Sequence, residues 1–303
     1  MKQSVRKTGS KPNGRRRHRP AAPSSRKGRR PQAAPSRRPP GLPGTAEPER
    51  VPAESLLTGR HPVLEALRAG RTMTKVWVYE DAAAGSLREI VALARAQGVP
   101  VSVVPKARLE QLANGPGHQG VVAQVAAKDM IDLHGLIALV EQAEDPLVFF
   151  LDGIQDPQNL GAILRVADAT GATAVVLPER GAVGLTDAVA KASAGAVEYV
   201  PVARVTNLAQ AVERLQRLGM FVYAAHPDAE TLYTAVDWTG AIGVVIGAEG
   251  TGVRPIVRQR ADGLVKLPML GHVSSLNASN AAAVIGFEVI RQRGQKKSVL
   301  TRV

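Results

Sequence analysis

Short apolar runs alternate with segments of helical periodicity through the second half of the chain. Five of these runs have the length of strands and do not alternate with polar residues: 147–151, 174–177, 220–224, 243–246 and 264–267. Helix-like spacing occurs between and after them, near 158–170, 186–194, 207–218, 253–260 and 277–292. Continuous apolar strands separated by helices are typical of a mostly parallel sheet covered on both faces. The pattern predicts an α/β domain over residues 147–303, with ligands bound in loops beyond the carboxyl ends of strands.

A smaller unit of alternating elements precedes this domain. Its predicted strands are 75–79, 99–104 and 120–125, and its predicted helices begin near Gly59, Ser86 and Arg108. The alternation favours a second α/β domain over residues 55–128. Residues 129–146 are predicted to be a linker that contains a helix at 132–142.

The first 54 residues differ from the rest of the chain in composition. Residues 1–50 contain 15 Lys and Arg and two Glu, so their formal charge, 15 − 2 = +13, equals that of the whole chain. They are rich in Pro, Gly, Ser and Ala and contain no aromatic residue, which predicts a disordered tail for residues 1–54. A flexible polycation near phosphates would gain affinity by releasing counterions, without preference for sequence. The alternatives are an organellar transit peptide, which the prolines oppose, and a tail that only increases solubility.

Composition also limits the classes of function. The chain has no cysteine, which excludes disulfides and thiolate metal sites and fits a cytoplasmic protein. No stretch approaches the ~20 apolar residues that span a bilayer, so we expect no membrane association. The six histidines lack the spacing of metal ligands, and no metal is predicted.

The first loop with candidate chemistry follows the strand at 147–151. Asp156 and Pro157 are a favourable N-cap and N1 pair, and the following helix directs Leu160, Ile163, Leu164 and Ala167 to the core. Asn159 and Arg165 lie off this apolar stripe and can face a cleft. On spacing alone, an ion pair between Arg165 and Asp168 is the simpler interpretation of the arginine.

Two further loops follow later strands. Residues 247–253 (GAEGTGV) contain three glycines, which permit a tight turn, but they match neither of the common nucleotide-binding motifs. A nucleotide-binding α/β enzyme is therefore disfavoured, and Glu249 alone could be a solvated turn carboxylate. Residues 267–283 form a polar loop and then a helix that begins near Asn277 with small side chains.

Together, the three loops resemble the signature motifs of the SpoU family of RNA 2′-O-methyltransferases, within the SPOUT class. The likeness covers about 148–293 and is most specific in Asn159-Leu160-Gly161-Ala162 with Arg165, in 247–250 and in 274–279. Residues 59–67 and 118–120 resemble the family's ribosomal-protein-like substrate-binding domain. Within the family, the chain most resembles the enzymes that methylate guanosine ribose in bacterial large-subunit (23S) rRNA.

The resemblance implies a fold and a cofactor. It implies a deep trefoil knot formed by about residues 244–285, and a homodimer whose substrate is RNA. S-adenosyl-L-methionine would bind at Gly247, Leu267 and Leu276.

The resemblance also implies roles for polar residues. Arg165 would contact the target phosphate and activate the 2′-hydroxyl. Because a guanidinium keeps its proton, our hypothesis is that Arg165 binds the phosphate and stabilises the developing alkoxide. Asn159 and Asn277 would orient Arg165 and the loop backbone, Glu249 would hold Arg165 or Asn159, and Ser275 would bond the substrate or the loop.

Two alternatives stay open at this point. A tRNA 2′-O-methyltransferase would use the same chemistry, although the domain at 55–128 favours rRNA. A non-catalytic RNA-binding or ribosome-assembly protein could share the fold, although Asn159, Arg165, Glu249 and Asn277 are all present.

Overall fold

A computed structural model describes residues 56–80 and 85–300, with side chains through residue 296. The predicted basic tail, residues 1–54, lies outside the described residues. The strands are β1 (Leu56–Thr58), β2 (Met73–Tyr79), β3 (Val101–Val104), β4 (Val121–Val125), β5 (Leu147–Asp152), β6 (Ala174–Pro178), β7 (Val202–Val205), β8 (Phe221–Ala225), β9 (Thr231–Leu232), β10 (Ile242–Gly247) and β11 (Gly263–Lys266). The helices are α1 (Arg60–Arg68), α2 (Ser86–Ala96), α3 (Lys106–Leu112), α4 (Leu133–Gln142), α5 (Pro157–Ala169), α6 (Asp187–Ala192), α7 (Leu208–Gln216), α8 (Pro255–Arg258) and α9 (Ala278–Leu300).

The larger sheet has the order β7-β6-β5-β10-β8-β11-β9, and all its pairs are parallel. Its central strands β5 and β10 are apolar and buried along almost their whole length, because helices cover both faces. The predicted α/β class with a parallel sheet is therefore confirmed. The trefoil knot stays a prediction, as do the boundaries of the two domains.

Three strands were not predicted from the sequence. β7 has four residues and exposes Arg204, while β9 has two residues, both exposed, so neither gives a continuous apolar run. β1 has three residues that pair antiparallel with β4. Each of these strands depends on a partner distant in sequence, which local patterns do not reveal.

The smaller sheet, of order β1-β4-β2-β3, is mixed. β4 pairs antiparallel with β1 and β2, and β2 pairs parallel with β3. Helix α1 covers one face through its buried residues Val63, Leu64, Ala66 and Leu67. The predicted small α/β domain is confirmed. Among the described residues, no helix combines the length and apolar composition that crossing a bilayer requires.

The two sheets belong to domains that are joined by polar contacts as well as by apolar packing. Arg71, in the small domain, places Nη1 2.6 Å from Oε1 of Glu198, which follows α6 in the large domain. The Glu198 side chain is 1% exposed, and Lys128 Nζ donates to its backbone oxygen at 2.8 Å. Asp187, at the start of α6, accepts from the backbone nitrogen and the hydroxyl of Thr58 at 2.8 and 2.9 Å.

A third polar contact reinforces the same interface. The Tyr199 hydroxyl donates to Glu65 Oε2 on α1 at 2.6 Å, and this bond to a carboxylate raises the pKa of Tyr199 to about 12. Gly195 lies so close to the Glu65 side chain that an added Cβ would approach it to 2.5 Å. The small domain is thus docked on α6 and on the segment that follows it.

We predict that Glu198→Ala lowers the free energy of unfolding by about 3 kcal/mol, because it leaves the Arg71 guanidinium without its buried carboxylate. Chemical denaturation measures the change. The control is Glu213→Ala, which breaks the more exposed pair with Arg260 and should cost less than about 1 kcal/mol. Equal effects of the two substitutions would contradict a structural role for the buried pair.

Candidate functional site

A cavity of about 350 Å³ lies at the carboxyl ends of β8, β10 and β11. Residues from three segments form its walls, 225–228, 246–252 and 265–281. The predicted cofactor residues Gly247, Leu267 and Leu276 all line it, and so do Glu249 and Ser275. A partly apolar cavity of this volume, placed beyond parallel strands, suits a small organic ligand with a flat apolar group.

Gly247 ends β10 where the chain turns back on itself. The turn is closed by Gly252, whose backbone nitrogen donates to the Ala248 oxygen at 2.8 Å. A Cβ on Gly247 would lie 2.2 Å from the Gly252 carbonyl carbon, which no side chain can tolerate. Glycine is therefore required at residue 247 by the close approach of two backbone segments.

An ion pair anchors the chain just after this turn. Asp152, at the end of β5, is 1% exposed and accepts from both the backbone nitrogen and Nε of Arg254 at 2.7 Å. Sequence reasoning did not identify Asp152. The available signal was a charged residue that ends a wholly apolar strand, since such a carboxylate needs a partner once it is buried.

Three predicted residues form one hydrogen-bonded cluster, which we call the amide–carboxylate cluster: Asn159, Glu249 and Asn277. Asn159 Nδ2 donates to Glu249 Oε1 at 3.0 Å, and Asn277 Nδ2 donates to Asn159 Oδ1 at 2.8 Å and also to Glu249 Oε1. The residues come from α5, from the loop after β10 and from the start of α9. The cluster therefore joins the three loops that carry the sequence motifs.

Asn277 also begins helix α9. Its Oδ1 accepts from the backbone nitrogen and the hydroxyl of Ser279 at 2.9 and 2.6 Å, as expected of an N-cap residue. Small side chains follow, and Ala278 and Ala281 form part of the cavity wall. The loop before Asn277 is exposed, and Leu270 within it is fully exposed.

Arg165 stands apart from the cluster. It is exposed on α5 and does not line the cavity. Within the described part of the chain, it forms neither an ion pair with Asp168 nor a hydrogen bond with the amide–carboxylate cluster. The simpler interpretation, pairing with Asp168, is therefore wrong for this structure, and the guanidinium is available to an anionic group from outside.

The histidines of the small domain have different surroundings. His118 is 4% exposed, its Nδ1 accepts from the Gly120 backbone at 3.0 Å, and its burial lowers its pKa. It stabilises a turn, whereas His61 is exposed at the start of α1. Among the residues that the structure describes, no three His, Asp or Glu side chains are grouped so that they could hold a metal ion.

Comparisons with known proteins identify the same two parts of the chain. The model of the SpoU rRNA Methylase family matches residues 146–287, and that of the RNA 2′-O ribose methyltransferase substrate-binding domain matches residues 56–130. A protein named as a TrmH family tRNA/rRNA methyltransferase, YacO of Bacillus subtilis, is 44% identical over 78% of this chain and 94% of its own. A relative of the same family name in Staphylococcus haemolyticus is 43% identical over 79% of this chain and 96% of its own.

Solved structures give the same result. The SpoU methyltransferase AviRb from Streptomyces viridochromogenes, crystallised in complex with AdoMet, is similar with a TM-score of 0.67 and 25% identity, over 79% of this chain and 90% of that one. A structure described as an RNA 2′-O ribose methyltransferase is similar with a TM-score of 0.65 and 26% identity, over 78% of this chain and 88% of that one.

We predict that Gly247→Ala destabilises the protein by at least about 2 kcal/mol, because the methyl group overlaps the Gly252 backbone. Thermal unfolding checks this. Gly271→Ala is the matched control, since an added Cβ there meets no atom within 4 Å, and it should change the free energy of unfolding by no more than about 0.5 kcal/mol. Equal melting temperatures of the two variants would contradict the packing argument.

Proposed function

The chain belongs to the SpoU rRNA methylase family, and from this we infer that it transfers a methyl group from S-adenosyl-L-methionine to the 2′-hydroxyl of a ribose in RNA. The proposed target is a guanosine of large-subunit rRNA. The observation that carries the proposal is the cavity lined by Gly247, Leu267 and Leu276, with the amide–carboxylate cluster at its edge. Methylation of tRNA is the alternative.

The residues of the cavity fit this cofactor. Backbone groups at Gly247, Leu267 and Leu276 can bond the polar edge of adenine, and Ile246 and Ala281 offer an apolar wall to its faces. When bound, the sulfonium supplies an electrophilic methyl carbon.

In the proposed reaction, a carbon–oxygen bond would form between the ribose 2′-oxygen and that methyl carbon as the carbon–sulfur bond breaks. S-adenosylhomocysteine would leave, and the hydroxyl proton would pass to solvent water. Arg165 binds the adjacent phosphate and stabilises negative charge that develops on the 2′-oxygen, because its guanidinium stays protonated. The amide–carboxylate cluster fixes α5, which carries Arg165, relative to the glycine turn. Alignment of the reacting atoms lowers the barrier by up to roughly 7–11 kcal/mol in favourable cases.

The proposal of an rRNA substrate rests on the small domain. This domain matches a model of RNA 2′-O ribose methyltransferase substrate binding, and it is docked on the large domain through Arg71, Glu198, Thr58 and Asp187. A docked domain presents a fixed RNA-binding surface at a fixed distance from Arg165.

We also propose that the protein is a homodimer. On α9, Val284, Phe287 and Ile290 recur at a spacing of three residues and are 38%, 52% and 38% exposed. An apolar stripe of this kind on a long helix is typical of a contact surface. The twofold-related copy of the same helix is its proposed partner.

The reaction is tested by incubating the purified protein with labelled S-adenosyl-L-methionine and either unmodified rRNA or unmodified tRNA. We expect label at one 2′-O-methyl position of large-subunit rRNA and a loss of at least about 100-fold in Arg165→Ala with unchanged cofactor affinity. Arg165→Lys should stay well below wild type, because lysine lacks the planar fork.

The matched control is Arg214→Ala, an exposed arginine on α7, which should methylate at the wild-type rate. Label in tRNA alone would support the proposed methyl transfer and would show that the substrate is tRNA and not rRNA. No label in either RNA, with cofactor binding retained, would favour a non-catalytic RNA-binding protein.

Phe287→Asp should convert the protein from a dimer to a monomer of 31.9 kDa, because a carboxylate would be buried without a partner in the proposed interface. Light scattering after size-exclusion chromatography measures the mass. Phe221→Asp, at a similarly exposed phenylalanine outside α9, is the control and should stay dimeric. A monomeric wild-type protein would refute the proposed dimer.

A further inference from the structure

Helix α8 is anchored on both of its sides. It follows the glycine loop, residues 247–252, which forms one wall of the cavity. On one side Arg254 bonds Asp152 at the end of β5, and on the other Arg258 Nη1 lies 2.8 Å from Nε2 of His226, just after β8. In the sheet, β10 lies between β5 and β8. Arg254 therefore bonds the strand on one side of β10, and Arg258 contacts the residue that follows the strand on the other side.

The contact between His226 and Arg258 requires one of the two tautomers of the imidazole ring. A guanidinium has only donors, so Nε2 must accept, and a neutral ring then has its proton on Nδ1. The backbone nitrogen of Asp228 lies 3.2 Å from Nδ1 and donates to it in the other tautomer, because a neutral ring accepts at only one nitrogen. The contact with Arg258 therefore belongs to the tautomer that is protonated on Nδ1.

His226 is also a wall residue of the cavity. Its side chain is 14% exposed, and its backbone nitrogen donates to the Val265 oxygen at 2.9 Å, which joins it to β11. His226 therefore connects its own segment, 225–228, to the end of β11. Through Arg258 it also connects this segment to α8, the helix that follows the glycine loop.

We propose that His226 is a positioning residue for the cofactor. By accepting from Arg258, it holds α8 and the glycine loop against the segment 225–228, so that the cavity is preformed before the ligand binds. The inference rests on the proposed function only in that S-adenosyl-L-methionine occupies this cavity. It requires no RNA, and none of the signature motifs includes His226.

The test measures the affinity of the full chain for S-adenosyl-L-methionine by calorimetry, without RNA. His226→Ala should weaken binding about tenfold, since it removes a hydrogen bond to a charged group that orders the wall. His226→Gln should restore binding to within about twofold of wild type, because its Oε1 can accept from Arg258 at the place of Nε2. His134→Ala, at an exposed histidine on α4 that does not line the cavity, is the control.

A second variant tests the pairing itself. Arg258→Ala should weaken binding as much as His226→Ala, and the double variant no further, because both substitutions remove one interaction. In methyl-transfer assays, His226→Ala should raise the KM for the cofactor about tenfold with kcat within about twofold. A general loss of structure would instead change kcat, and glutamine would not rescue it.

Three results with the variants would overturn the proposal, and so would a fourth with the wild-type protein. These are wild-type affinity in His226→Ala, failure of glutamine to rescue, and additive effects of the two alanine substitutions. Wild-type protein that does not bind the cofactor overturns it as well. Cofactor binding without methylation of any RNA would overturn the proposed function and leave the role of His226 intact.

Discussion

The pairing of β10 between β5 and β8 is the constraint on which the rest of the site depends. β10 matches β5 over all six residues of each strand and β8 over four, so the three strands end at one edge of the sheet. The loop that begins α5, the segment 225–228 and the glycine loop are thereby neighbours. The amide–carboxylate cluster and the contacts of Arg254 and Arg258 then join elements that the sheet has already brought together. Polar bonds of this kind specify the final geometry, while burial of the central strands supplies most of the stability.

The same logic extends to the small domain. Its sheet is completed by β1, and the last residue of β1, Thr58, is held by Asp187 of the large domain. A buried ion pair and a tyrosine–carboxylate bond reinforce the contact. A domain held by several directional bonds keeps one orientation, so the small domain and Arg165, the residue proposed to bind the phosphate, belong to one rigid frame.

Much of this could be predicted from the sequence, for reasons visible in particular residues. The runs at β5 and β10 are continuous and apolar, and Asp156 and Asn277 are favourable caps, so the elements and their order follow from local chemistry. Gly247, Leu267 and Leu276 were expected at the cavity through resemblance, and they line it. The partners of Asp152 and His226 could not be predicted, because each lies in another loop and the bond depends on strand order. For Arg165 the local spacing is misleading, because it predicts an ion pair with Asp168 that is absent from the structure of α5.

The order of the cavity walls along the chain has a consequence for synthesis. The walls come from residues 225–228, 246–252 and 265–281, all in the last third of the chain. Strand β10 must also find β5, about a hundred residues earlier. Pairings between such distant segments form slowly, because a long loop must close before they contribute. While the ribosome makes this protein, the small domain can therefore be folded long before any cofactor site exists. A chain stopped between residues 130 and 225 would carry the substrate-binding domain and none of the segments that form the walls of the cavity.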